Sequence, residues 1–202
     1  MRIPIVLVVI SFLFSISTAA TAQSTGRDWS GPYVGLHAGW IYAGFTNSVP
    51  TLPGPTQDAG SAIGGVQLGY NWQNGQMVYG AEIDASVMDL TARSPGGNFA
   101  EKNMASLRVR AGQIVGDKLF YGSIGVAWTE TKIGLTGVGS KTDYEPGFMV
   151  GGGVEKWLSD TMTGRLEAFY VDVPKSRRTV GGATVAGGSQ NVILRAAINF
   201  HF

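Results

Sequence analysis

The sequence predicts an all-β chain that closes into an eight-stranded antiparallel transmembrane up-and-down β-barrel. Three observations carry that prediction. After residue 30 the apolar residues recur with a period of two, and no convincing helical period of about 3.6 is present. The connections between these alternating stretches run strictly long, short, long, short. Aromatic side chains gather near both ends of the stretches, as amphipathic rings do at the two faces of a bilayer.

The first element is an address. Residues 1–22 hold Arg2, then an apolar run from Ile3 to Ile16, then small residues ending in Ala20-Thr21-Ala22, a secretory cleavage pattern. The apolar run is about 14 residues, short of the roughly 20 that a spanning helix needs. A cleaved signal peptide, 1–22, and a barrel domain, 23–202, are therefore expected. The chain carries a formal net charge of +1, and Arg2 is the only charged residue of the signal, so the mature chain is neutral. That gives no overall pull toward nucleic acid.

Eight strands follow, at about 32–43, 61–73, 77–90, 103–115, 118–132, 144–158, 162–173 and 190–202. Short turns join them at Asn74-Gly75-Gln76, Gly116-Asp117 and Ser159-Asp160-Thr161. Long connections occupy 44–60, 91–102, 133–143 and 174–189. This alternation is that of a barrel in a bacterial outer membrane. Its short turns and both termini are expected on the periplasmic side, and its long loops on the extracellular side.

The strands also alternate in chemistry. The last one places Val192, Leu194, Ala196, Ile198, Phe200 and Phe202 on one face, and Asn191, Arg195, Asn199 and His201 on the other. The first places Leu36, Trp40 and Tyr42 outward, with His37 and several glycines inward. The second gives Leu68, Tyr70 and Trp72 out and Gln67 and Asn71 in. An apolar exterior against lipid and a polar lumen fit this pattern. A soluble barrel would place its apolar face inside and its charged face outside. Trp29, Trp72, Tyr79, Phe120, Trp157 and Phe202 fall at the short-turn ends. Trp40, Trp128, Tyr144 and Phe148 fall toward the other ends.

Composition removes other classes. The chain has no cysteine, so disulfides, iron–sulfur clusters and cysteine-bound zinc are excluded. Its 30 glycines follow no three-residue period. Gly151-Gly152-Gly153 lies inside a strand rather than at the strand–turn–helix junction that cradles phosphate. Inward glycines at 35, 39, 69, 112, 125, 151 and 153 make room for large side chains of neighbouring strands.

The same alternation points four acids and four arginines inward: Glu82, Asp84, Glu155 and Glu167, with Arg108, Arg110, Arg165 and Arg195. Antiparallel neighbours sit about 4.5–5.5 Å apart at Cβ. A cross-strand salt-bridge network that plugs the lumen is therefore expected, with an interior charge of zero. Removing Arg108 and Arg110 is expected to destabilise the fold and open conductance. Lys175, Arg177 and Arg178, in the last long connection, are candidates for contact with lipopolysaccharide phosphates.

Several motifs resemble a known family. Residues 29–40 read Trp-Ser-Gly-Pro-Tyr-Val-Gly-Leu-His-Ala-Gly-Trp. Residues 151–157 read Gly-Gly-Gly-Val-Glu-Lys-Trp, and 165–172 read Arg-Leu-Glu-Ala-Phe-Tyr-Val-Asp. The chain ends Val-Ile-Leu-Arg-Ala-Ala-Ile-Asn-Phe-His-Phe. In this order they resemble the small outer-membrane β-barrels of alphaproteobacteria, a porin-like group with an OmpA-like barrel. Lys156 departs from the family's usual outward aromatic; a lysine there reaches the periplasmic interface by snorkelling. The resemblance implies an outer-membrane barrel surrounded by lipid and lipopolysaccharide. It also implies that the barrel assembly machinery reads the last strand, with Phe200 and Phe202 as the signal.

The function expected is a structural or surface-interaction role without catalysis. The alternatives are a narrow porin-like channel, or a surface binder of haem or a host molecule. Eight strands enclose a bore that side chains can fill. No serine lies two positions from His37 or His201, so neither strand supplies a same-face nucleophile and base. Two histidines at opposite ends of the chain do not make a metal cluster. No cofactor is expected, and the outer connections carry no recognisable ligand motif.

Overall fold

The computed structural model describes residues 27–48, 57–94, 97–135, 139–180 and 183–202. They form β1 (Gly31–Ser48), β2 (Gln57–Asn74), β3 (Met77–Ser94), β4 (Gly97–Val115), β5 (Lys118–Leu135), β6 (Gly139–Trp157), β7 (Met162–Val180) and β8 (Ala183–His201). Each strand pairs antiparallel with the next, and β8 pairs back onto β1 from Tyr33↔His201 to Ser48↔Ala186. Closure leaves no open sheet edge, which is the condition for strands in hydrocarbon. The expected signal segment, 1–22, lies outside the described residues.

Alternation decides what each residue faces. Leu36, Leu68, Ile83, Val109, Leu166 and Leu194 stand on the outer wall, exposed. Their neighbours in sequence turn inward and are buried. The short connections and both described termini share one end of the barrel, called here the turn end; the other is the loop end. At the turn end Gly75 (φ +60°) and Gly116 (φ +64°) take the left-handed backbone that tight turns need and glycine tolerates.

The strands are longer than the alternation indicated, at 18–19 residues each. Residues 44–48, 57–60, 91–94, 97–102, 133–135, 139–143, 174–180 and 183–189, read as connections in the sequence, belong to strands. All these extensions lie at the loop end. A strand alternates apolar with polar only where one face meets lipid. Beyond that band both faces tolerate polar residues, so pairing continues without a sequence period.

Trp29 and Trp157 do not join the outer aromatic belt. Trp29 is buried and Trp157 half-buried, and their rings pack 5.1 Å apart inside the turn-end mouth. Trp29 precedes β1 and folds under the sheet, held by its backbone N–H donating to Gln73 Oε1 at 2.8 Å. Lys156 does point outward, and its ammonium meets Asp117 Oδ2 at 2.8 Å. That hydrogen bond holds the Asp117 carboxyl below the usual carboxylate range.

The lumen is a packed interior in three layers, not a uniformly polar one. At the turn end Trp29, Val78, Ile114, Leu119 and Tyr121 form an apolar cluster. Charged residues cross the middle. Toward the loop end lies a larger apolar cluster that includes Ile41, Leu90, Met104, Met149, Phe169 and Val171. A bore of eight strands is narrow enough for inward side chains to meet across it.

Candidate functional site

The ladders place the central charges opposite one another. Glu82 in β3 faces Arg108 in β4. Glu155 in β6 faces Arg165 in β7, and Glu167 in β7 faces Arg195 in β8. All eight charged side chains are at least 95% buried.

The contacts reach beyond neighbouring strands. Arg108 donates to Glu82, and its Nη1 lies 2.9 Å from Asp84 Oδ2. Arg165 crosses the bore to Glu82 Oε2 at 2.6 Å and also meets Glu155 Oε2 at 3.2 Å. Arg110 donates to Glu155 Oε2 at 2.8 Å rather than to the acids of β3 beside it. Arg195 Nε donates to Glu167 Oε2 at 2.7 Å, and its Nη1 lies 3.7 Å from Asp84 Oδ1. Five strands are thus tied together through the middle of the barrel. Glu82 lies at the centre, touched by Arg108, Arg165 and Tyr33.

Neutral groups complete the belt. Ser106 donates to Asp84 Oδ2 at 2.5 Å, and Tyr121 donates to Glu167 Oε1 at 2.6 Å. Thr163 and Asn199 donate to Glu155 Oε1 at 2.5 Å and 2.8 Å. The guanidinium groups of Arg108 and Arg195 both lie over Phe169, 4.7 Å and 4.8 Å from its ring centre. Arg110 and Arg165 lie over the rings of Tyr33 and Tyr121. These contacts combine cation–π attraction with desolvation of the cations.

Glycine makes the belt fit. A Cβ on Gly125 would lie 2.6 Å from Arg108 Cβ, and one on Gly39 would lie 2.7 Å from Arg195 Cβ. Each glycine sits across the ladder from the arginine it admits.

His37 is buried in the lumen, its ring nitrogens 3.1 Å from Gln67 Oε1 and 2.9 Å from Ser86 Oγ. Strand β3, which does not pair with β1, therefore supplies the serine that no same-strand position offers. The pair is sealed, with Gln67 where an orienting acid would stand. His201 lies at the turn end, 3.1 Å from Thr163 Oγ1, its ring tilted 46° against that of Trp157 with centres 4.6 Å apart. Phe200 and Phe202 are exposed on the outer wall. Lys175, Arg177 and Arg178 belong to β7, where Arg177 and Arg178 pair with Ala186 and Val185. They are strand residues rather than loop residues, and their side chains lie outside the described part.

Two buried carboxylates escaped the sequence reading, Glu101 and Glu145. Simple parity turns Glu101 outward, because the inward residues of β4 toward the turn end are even-numbered. A bulge between Glu101 and Met104 reverses the face. Glu145 follows the inward parity of Glu155 and could have been found by extending that count. Among the described residues the buried acids are thus not limited to the four of the belt.

Comparison with known proteins places this geometry. A 25 kDa outer-membrane immunogenic protein of Brucella canis is 27% identical over 175 residues, covering 86% of this chain and 79% of that protein. A 22 kDa outer membrane protein of Rhizobium leguminosarum bv. viciae is 32% identical over 140 residues, covering 69% of this chain and 65% of its own length. The crystal structure of the outer membrane protein OprG from Pseudomonas aeruginosa shares the fold, with a TM-score of 0.57 at 13% identity, covering 86% of this chain and 98% of that one. Residues 9–195 match the family model for the outer membrane protein beta-barrel domain, and the chain belongs to that family of outer-membrane β-barrel proteins.

Proposed function

We propose that the protein is a sealed outer-membrane barrel with a structural or surface-interaction role, neither a diffusion pore nor an enzyme. The observation that carries this reading is Arg165, fully buried and bonded across the bore to Glu82 while it also holds Glu155. A passage for solute would have to break that bridge and expose its charges. Apolar layers on both sides of the belt add to the closure. Ser86 and His37 are buried, and among the described residues the other ring nitrogen meets Gln67 rather than an acid, so no hydrolytic role is assigned to them.

In this reading the turn end faces the periplasm and the loop end faces outward, as short turns and long loops do in such barrels. Lipopolysaccharide surrounds the loop-end wall, and the basic run Lys175, Arg177 and Arg178 meets its phosphates. Neutralising all three should lower the lipopolysaccharide that co-purifies with the barrel; an unchanged lipid content would remove that contact.

Conductance tests the sealed barrel. The refolded protein in a planar bilayer is expected to give no steady current. Reproducible ohmic steps from the wild-type protein would replace this reading with a narrow channel.

A further inference from the structure

The loop-end half of the lumen contains a polar nest distinct from the charged belt. Glu101, fully buried in β4, faces Thr131 across the β4–β5 ladder. Thr129, one inward step closer to the turn end on β5, faces Glu145 of β6. From the far wall, β8 sends Ser189 Oγ to within 2.8 Å of Glu101 Oε1, and Asn191 Nδ2 lies 3.5 Å from Oε2. All six residues are buried.

Three further oxygens turn this acidic pair into a site. Thr129 Oγ1, Thr131 Oγ1 and Asn191 Oδ1 are buried and have no hydrogen-bond partner among the described residues. Their parent side chains are at most 1% exposed. Leaving such atoms without a partner costs about 1–3 kcal/mol each, so a native barrel has reason to satisfy them. They share one chemistry, a neutral oxygen lone pair, and they share the lumen with two carboxylates. Glu101's partners among the described residues are the neutral Ser189 and Asn191.

We propose that this nest binds a hard divalent cation, calcium, through Glu101, Glu145, Thr129, Thr131, Ser189 and Asn191. Calcium takes six to eight oxygen ligands at about 2.3–2.6 Å in a pliable geometry. Carboxylate, hydroxyl and amide oxygens from four strands match that demand. Magnesium requires a compact octahedron at about 2.0–2.1 Å and gives up its water reluctantly; ligands spread over opposite walls suit it poorly. The bulge beside Glu101 then has a purpose, since without it the carboxylate would face the outer wall. The ion stitches β4, β5 and β6 to β8 where the charged belt does not reach.

The test uses the barrel refolded in detergent free of lipopolysaccharide, so that lipid-bound calcium does not contribute. Isothermal calorimetry with calcium chloride should show saturable binding with a Kd of about 10⁻⁴–10⁻³ M, the range of extracellular calcium modules. Magnesium should compete weakly. Glu101→Gln keeps the size of the side chain and should weaken calcium at least ~10-fold, and Thr131→Val should weaken it several-fold. Glu130→Gln, altering an acid outside the nest, should bind as wild type. Saturable calcium binding that is equal in wild type, Glu101→Gln and Thr131→Val would overturn the site, as would no saturable heat in the wild-type barrel. Heat-modifiable migration on gels reports whether each variant is folded. Should Glu101→Gln fail to fold, Thr131→Val and Asn191→Ala carry the comparison.

Discussion

Arg165 shows what one residue contributes here. Its guanidinium meets Glu82, Glu155 and Glu167, at 2.6 Å, 3.2 Å and 3.6 Å. Truncating one partner of a buried ion pair costs about 3–5 kcal/mol, because the remaining charge stays buried without compensation. Arg165→Ala should therefore lower the unfolding free energy of the detergent-refolded barrel, taken from urea titrations read by tryptophan fluorescence, by an amount in that range. Arg165→Lys should lose less, since it keeps the charge but not the fork that reaches three acids at once. A wild-type midpoint for Arg165→Ala would mean that the belt does not support the fold. Gly125 makes a complementary case. Its substitution by Ala places a Cβ 2.6 Å from Arg108 Cβ, and overpacking of this kind costs about 1–3 kcal/mol. A Gly125→Ala barrel as resistant to urea as the parent would show that the ladder can yield there. The eight charged residues were legible in the sequence because parity is rigid between bulges. Tyr33, Tyr121 and Phe169 were not legible as cation partners, because parity gives the face of a ring but not its reach, and contacts such as Arg110 over Tyr33 and Arg108 over Phe169 join strands that do not pair.

Strand β8 is the element that closes the barrel, and its two faces read cleanly in the sequence. Leu194, Ile198 and Phe200 line the outer wall, while Asn191, Arg195 and Asn199 turn inward. Its last residue remains tied to the first strand, with Phe202 N–H donating to the Pro32 carbonyl at 3.1 Å. Deleting Phe202 should reduce the yield of heat-modifiable, protease-resistant barrel in cells, since an exposed terminal aromatic is available for recognition during assembly. Wild-type yield of folded protein would argue against such a signal. The outer wall tests the lipid side of the same alternation. Leu68 is exposed and pairs with Val34 and Ile83. Leu68→Arg should cost about 2–4 kcal/mol if the residue lies at the midplane, and less toward an interface. Stability unchanged by Leu68→Arg in bilayers would place that face away from hydrocarbon. Strand existence was legible for all eight elements, and facing wherever no bulge broke the parity, whereas the loop-end limits and the face of Glu101 were not. At 174–180 the chain reads Pro-Lys-Ser-Arg-Arg-Thr-Val, a loop by composition, yet β7 continues to Val180 and pairs with β8 across a bulge. Hydrogen bonding sustains the ladder there without an apolar face to mark it.

For the whole molecule the question is what would keep the bore shut in the sealed barrel proposed above. The sequence alone made the charged belt the plug, and on that basis loss of Arg108 and Arg110 should open it. The layered interior leads to a different expectation. Below the belt, Trp29, Val78, Ile114, Leu119 and Tyr121 fill the turn-end mouth. Above it, Ile41, Leu90, Met104, Met149 and Val171 pack the loop-end half. These layers were hidden from the sequence because alternation tells inside from outside but not how far across a narrow lumen a side chain reaches. Arg108→Ala with Arg110→Ala removes cations held by Glu82, Asp84 and Glu155, so the fold should weaken by several kcal/mol. Water admitted at that level would still meet apolar side chains in both directions. Such constrictions oppose ion passage by dewetting. The double variant, once folded, should therefore be as electrically silent as the parent in planar bilayers. Current should appear only when the belt change is combined with small replacements in both layers, such as Leu119→Ala and Leu90→Ala. Steady cation-selective steps from the Arg108→Ala, Arg110→Ala barrel alone would show that the charges are the whole seal and that the apolar layers are permeable.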